Sequence, residues 1–131
     1  KARLTGMCPT LVYRDGQPVI AIGAPGGTQI ITGVLQVLLN IVDFGMPPVE
    51  AVGAPRFDAQ SEVIDAQARI PLATLRALET MGHAVCREPY SYGSFGLVHV
   101  AQRDPATGMW RGAADPGGDG MALSSQQVTA A

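Results

Sequence analysis

Short apolar runs lie over Thr10 to Tyr13 and again over Pro18 to Ile22, with Arg14-Asp15-Gly16-Gln17 between them. This pattern predicts a β-hairpin that turns at Asp15-Gly16. From Thr28 to about Phe44 the spacing becomes helical: Ile30, Ile31, Val34, Leu35, Leu38, Ile41 and Val42 share one broad face. Val37 and Leu39 widen it, so this helix is expected to be covered on most sides. Gly45 closes it, and Pro47 and Pro48 act as a stop. A short helix is predicted over Pro48 to Val52, and short strands over Arg56 to Ala59 and Val63 to Ala66. Pro71 opens a second amphipathic helix through Leu72, Leu75, Leu78 and Met81, ended by Gly82. Ala84 to Arg87, Gly96 to Gln102 and Met109 to Ala113 read as strands, the last two joined through Asp104-Pro105-Ala106-Thr107-Gly108. The Gly- and Ser-rich tail after Asp115 reads as loop or frayed end. Strands on both sides of two apolar helices predict a layered α/β (α+β) fold. No repeat, low-complexity tract or linker divides the chain, so residues 1–131 are read as one unit.

Composition narrows the class without naming a function. Among 131 residues 47% are apolar and 15% charged, which suits a buried core rather than disorder. Aromatics are only 5%, so the core must be built from Val, Ile, Leu, Ala and Met. Sixteen glycines and ten prolines imply many turns and close backbone approaches. Nine basic and eleven acidic side chains give a net charge of −2 with no basic block, which offers nucleic acid no electrostatic footprint. Thr32, Gln36, Asn40 and Asp43 interrupt the long apolar helix, and it falls short of the ~20 apolar residues a membrane span needs. Cys8 and Cys86 form no close pair; buried free thiols are the expectation, with a disulfide as the alternative. The compartment stays open between periplasmic or extracellular and cytoplasmic.

Candidate chemistry concentrates at Ala24-Pro25-Gly26-Gly27, between the Pro18–Ile22 strand and the long helix. Two glycines let a backbone approach a ligand closely, and a helix start presents N–H groups without intrahelical partners. Such a corner suits negative charge, whether a phosphate or an oxyanion. An ordinary turn has the same signature, and a small-ligand binding module is a further reading. His83 and His99 have no metal-ligand spacing around them, so no metal site is expected. Asp58 and Asp65, near Glu62, are read as a solvated acidic edge rather than an acid–base pair. Arg56, after Pro55, is read as one half of a buried ion pair.

Several segments follow one another in order: Thr5-Gly6-Met7-Cys8-Pro9-Thr10, the Asp15-Gly16 hairpin, Ala24-Pro25-Gly26-Gly27, Ile30-Ile31-Thr32, Val34-Leu35-Gln36 and Ala54-Pro55-Arg56-Phe57. Thr74-Leu75, Leu78-Glu79, Met81-Gly82-His83 and Gly112-Ala113-Ala114-Asp115-Pro116 continue the series. From about Leu4 to about Gly120 this succession resembles the C-terminal part of the small, catalytic subunit of γ-glutamyltranspeptidases. The resemblance implies the four-layer αββα sandwich of N-terminal-nucleophile hydrolases, with this chain supplying part of both sheets. It implies an autoprocessed amide hydrolase or acyltransferase whose nucleophilic N-terminal threonine lies upstream of this chain, and no cofactor. By the same resemblance Gly26 and Gly27 form the oxyanion hole. Replacing either by a β-branched residue is then expected to abolish turnover and leave assembly largely intact. Thr5 and Gly6 fall on a paired-serine motif that holds the substrate α-carboxylate. Gly6 has no hydroxyl, so a strict γ-glutamyl preference does not carry over, and a related amidohydrolase or acylase is the alternative. An inactive core fragment is another. The partners implied are the rest of the small subunit, the large subunit of the same proenzyme, and a γ-glutamyl or related amide. Gly117 stands where relatives usually have arginine after the Asp-Pro turn.

Overall fold

A computed structural model describes residues 6–123. In chain order it contains β1 (Thr10–Arg14), β2 (Gln17–Gly23), a 3-10 turn (Gly27–Gln29), α1 (Ile30–Val42), α2 (Pro48–Gly53), β3 (Phe57–Asp58) and β4 (Val63–Ala66). There follow α3 (Leu72–Thr80), β5 (Ala84–Arg87), β6 (His99–Arg103) and β7 (Trp110–Ala114). The hairpin forms as the pattern predicts, with Arg14 opposite Gln17 and a bulge between Val12 and Tyr13. Two predicted strands shrink. The stretch from Gly96 forms strand only from His99, and Arg56–Ala59 keeps only two strand residues.

Strands β1, β2, β6 and β7 make one antiparallel sheet in the order β1-β2-β6-β7. Its rows show how pleating sorts the side chains. One row, Thr10–Ile22–Val100–Ala113, points toward the helices, and the next, Leu11–Ala21–Ala101–Gly112, points away. Ile20, Ile22, Val100 and Ala113 are buried with Ile30, Val34, Val37 and Ile41 of α1 and Ala51 and Val52 of α2 in a single core. The far row of the sheet instead lines an open apolar hollow with Met109, Trp110, Met121 and Leu123.

A second sheet, in the order β3-β4-β5, pairs β3 with β4 antiparallel and β4 with β5 in parallel through α3. It joins α1 through β3 and is not stacked on the open face of the first sheet. Helix α1 also departs from the expected coverage on most sides. Val37 is completely buried, yet Ile31, Leu35, Leu39 and Val42 stay 39–58% exposed as a stripe on its far side. None of the described helices is long and apolar enough to cross a membrane.

The β6–β7 turn carries its own electrostatic lock. The Asp104 carboxylate accepts from the Ala106 and Thr107 N–H groups at 2.8 and 3.2 Å and pairs with Arg111. Those backbone hydrogen bonds, helped by the arginine, hold its pKa below the ordinary 3.8. A lowered folded-state pKa adds stability that is fully present above the unfolded value and lost as the pH falls through the folded one. Asp104→Asn is therefore expected to lower the melting temperature at pH 6. The gap to the wild type should close as the pH drops from about 4 downward, and a gap independent of pH would contradict it.

Ile20 fills the core between β2 and α1. Ile20→Ala is expected to cost about 2–5 kcal/mol in denaturant unfolding, because the surrounding sheet and helix cannot fully close the void.

Candidate functional site

The Pro25-Gly26-Gly27 corner follows the C-terminal end of β2 and leads through the 3-10 turn into α1. Its backbone takes a path that side chains oppose: φ is +139° at Gly26 and +69° at Gly27. The two glycines are needed for different reasons. A Cβ on Gly26 would lie 2.7 Å from the Cα of Gly96 and 3.2 Å from its nitrogen, a collision between two backbones. A Cβ on Gly27 would enter open space. Both glycines are exposed on their outer side.

Gly96 belongs to the loop that leads into β6. It is buried, with φ +49°, and a Cβ there would just touch the Gln29 carbonyl oxygen at 3.4 Å and the Ile30 Cα at 3.5 Å. Next to it, the Leu97 N–H donates to the Pro25 carbonyl at 3.0 Å. The loop thus backs the corner and first turn of α1 by direct backbone contact.

Arg56 holds that loop. Only 2% exposed, it donates through Nη1 to the Val52 carbonyl at 2.9 Å and through Nη2 to the Phe95 and Gly96 carbonyls, each at 3.2 Å. Nη2 also pairs with the buried Asp115 carboxylate. Gln67, itself buried, exchanges hydrogen bonds with the Arg56 backbone at 3.0 and 3.1 Å. The expectation of a buried ion pair at Arg56 holds. The sequence did not show that Asp115, 59 residues away, is the partner.

On the other side of the corner, the Ala24 N–H donates to the Met7 carbonyl at 3.0 Å. Met7 and Cys8 have φ values of +62° and +45°, a conformation that side chains resist and surrounding contacts must enforce. Thr10 Oγ1 contributes by donating to the Cys8 carbonyl at 3.1 Å. The segment after Gly6 is therefore fastened beside the corner. Gly6 is exposed, and Thr5 lies outside the described residues.

Asp58 is not the solvated edge that the sequence predicts. It is 5% exposed and accepts from Thr32 Oγ1 at 2.7 Å and Gln60 Nε2 at 3.1 Å. Gln60 Nε2 also reaches the Thr28 carbonyl at 2.8 Å. Gln36 adds hydrogen bonds to the Phe57 carbonyl and N–H at 2.7 and 3.1 Å. Together these tie β3 to the start of α1. Asp58 does face Asp65 across the β3–β4 pair, but its hydrogen bonds are structural. His83 and His99 are exposed, and the described residues contain no cluster of three metal-ligating side chains. Both cysteines are free, as expected, but neither is buried: Cys8 is half-buried and Cys86 exposed.

A sheet with helices on one face, a bare apolar row on the other and a glycine corner leading out of a strand matches half of an N-terminal-nucleophile hydrolase sandwich. The chain belongs to the gamma-glutamyltranspeptidase family, whose profile matches residues 1–125. It is 32% identical over 124 residues to the glutathione hydrolase proenzyme of Bacillus subtilis, covering 94% of this chain and 21% of that protein. It is 32% identical over 118 residues to the acylase ACY 1 proenzyme of a Pseudomonas species, covering 88% and 21%. Among solved structures, the Pseudomonas nitroreducens gamma-glutamyltranspeptidase superposes with a TM-score of 0.80 at 30% identity, covering 95% of this chain and 64% of that one. The chain thus spans about a fifth of the length of these curated relatives.

The two glycines should separate on substitution. Gly26→Ala forces two backbones apart, so the expectation of unimpaired assembly is withdrawn for position 26. Gly27→Ala meets no neighbour and carries only the left-handed backbone cost of about 1–2 kcal/mol. Thermal unfolding of both variants should show the larger loss for Gly26→Ala; equal losses would contradict this packing.

Proposed function

We propose that this chain is the C-terminal portion of the catalytic subunit of an amide hydrolase or acyltransferase, and that its Gly26-Gly27 corner is the oxyanion hole. The reaction begins with a threonine at a processed N-terminus, supplied by a part of the protein outside this chain. Its α-amino group takes the hydroxyl proton, and the oxygen attacks the amide carbonyl. Negative charge then develops on the carbonyl oxygen, where the N–H groups of Gly26 and Gly27 stabilise it. Collapse of this intermediate breaks the C–N bond as the α-ammonium protonates the departing amine. Water or another amine then attacks the acyl-enzyme ester, releasing the acyl product and restoring the threonine hydroxyl. No step calls for a cofactor. The observation that carries this reading is the corner itself: an exposed glycine pair with positive φ, backed by Gly96, in a chain of this family.

Thr5 and Gly6 are proposed to line the acyl pocket, since the Met7–Ala24 hydrogen bond fastens the following residue beside the corner. With no hydroxyl at Gly6, one hydrogen bond that would select an α-carboxylate is missing. That favours a second reading, an acylase of simpler acyl groups, and relatives of this chain include acylase ACY 1. The remaining segments of the proenzyme are the proposed partners, and the open face of the β1-β2-β6-β7 sheet is the surface left for them.

The test uses the full-length protein with γ-glutamyl and glutaryl anilides side by side. Gly27→Val is expected to lower kcat about 10²–10³-fold, the effect of losing an oxyanion donor's alignment. Full activity in this variant would remove the oxyanion assignment. A clear preference for the γ-glutamyl anilide would remove the acylase reading.

A further inference from the structure

We infer that Arg56, with Asp115, is a positioning residue for the oxyanion corner. The inference rests on the oxyanion reading of Gly26 and Gly27. Arg56 does not touch the corner. It acts through the loop at Phe95-Gly96, whose two carbonyls it holds at 3.2 Å. Gly96 packs its Cα where Gly26 has no room for a Cβ, and the Leu97 N–H grips the Pro25 carbonyl at 3.0 Å. A chain of direct contacts therefore runs from the guanidinium to the peptide units proposed to bind the oxyanion. An oxyanion hole works by fixed geometry, and a misplacement of about 1 Å can cost about 10²-fold in rate.

The residue type suits this task. A planar guanidinium delivers several N–H groups in a rigid fork, so one side chain can hold α2 at Val52, the loop at Phe95-Gly96 and the end of β7 at Asp115 together. A lysine ammonium could satisfy the Asp115 charge but not all of these directions at once. Asp115 is itself fixed by its own turn: its N–H donates to the Val98 carbonyl at 2.9 Å, and its Oδ1 accepts from the Gly117 N–H at 2.8 Å. The fork is thus anchored at its far end.

The experiment compares Arg56→Lys and Gly96→Ala with the wild type and Gly27→Val in the full-length protein. Active sites are titrated with a covalent amide-mimicking inactivator, so that kcat is expressed per competent site. Affinity for a boronate mimic of the tetrahedral intermediate is measured alongside. Arg56→Lys is expected to lower kcat per titrated site 10- to 100-fold with KM changed less than threefold, and to weaken boronate binding by a similar factor. Gly96→Ala, which leaves the Arg56 pair in place but puts a side chain on a left-handed backbone at φ +49°, should shift kcat and boronate affinity in the same direction. Unchanged kcat per site in both variants, with only fewer competent sites or a lower melting temperature, would make Arg56 purely structural and overturn the inference. If Arg56→Lys yields no folded protein, Asp115→Asn, which keeps Arg56 but removes its charged partner, takes its place with the same two readouts. Full activity in Gly27→Val would instead overturn the oxyanion reading, so the two failures are distinguishable.

Discussion

The buried pairing of Arg56 with Asp115 is the constraint on which the rest of the structure depends. Desolvating two charges is costly, and the cost is offset only when their remaining polar atoms find partners. Here the partners of the two Nη atoms are backbone carbonyls from two places, α2 and the loop before β6, beside the Asp115 carboxylate after β7. The buried Arg56 Nε is left without a hydrogen bond among the described residues. Breaking such a pair by removing one member typically costs about 3–5 kcal/mol, because the other charge is left stranded. A hydrophobic replacement would leave those carbonyls unpaired as well. The pair therefore fixes where the second half of the chain lies against the first, and the corner at Gly26 inherits that placement.

This arrangement explains how irregular backbone is held in place here. The corner, the Gly96 loop and the Met7-Cys8 segment are neither helix nor strand, yet each is tied by hydrogen bonds or packed backbone to a regular element. Thr32 with Asp58 and Gln60 with Thr28 repeat the device on the outer side of α1. The apolar core beneath provides the rigid base: Ile22, Val34 and Val100 hold β2, α1 and β6 together just behind the corner. Catalytic geometry of the proposed kind needs support of both sorts, a dry base for stiffness and directional bonds for aim.

Periodicity made the regular parts legible. The two-residue hairpin, the long helix and Val63–Ala66 and Ala84–Arg87 follow from local patterns that packing reinforces. The glycine corner was legible as a corner because Pro25-Gly26-Gly27 permits little else between a strand and a helix. What local patterns could not carry were contacts across long stretches of sequence. Nothing near Arg56 points to Asp115, and nothing near Gly26 points to Gly96, which alternation placed inside a strand. Asp58 was misread for the same reason: its burial depends on Thr32 and Gln60 meeting it from other segments. The exposed stripe on α1 reflects the opposite error, since apolar spacing states what a helix can bury and not what lies against it within this chain.

A second backbone contact shows how a departure in sequence becomes a difference in shape. After the Asp115-Pro116 turn this chain has Gly117, where the family resemblance would place arginine. A Cβ at Gly117 would lie 2.3 Å from the nitrogen and 2.5 Å from the Cα of Gly93, so no side chain fits while the 91–96 loop stays where it is. Gly93 in turn has φ +82°, and a Cβ there would lie 3.4 Å from the Gly117 carbonyl oxygen. The loop thus approaches the end of β7 as closely as two backbones allow. Its middle, at Gly93, touches Gly117, and its far end, Phe95-Gly96, is held by Arg56 and backs Gly26. An arginine at 117 would push on the first of these contacts and be felt at the last. On the proposed reading, the acyl selectivity of the parent protein is therefore better sought in the setting of the 91–96 loop and the residues beside Met7 than in the corner glycines, whose proposed backbone role leaves no side chain to vary.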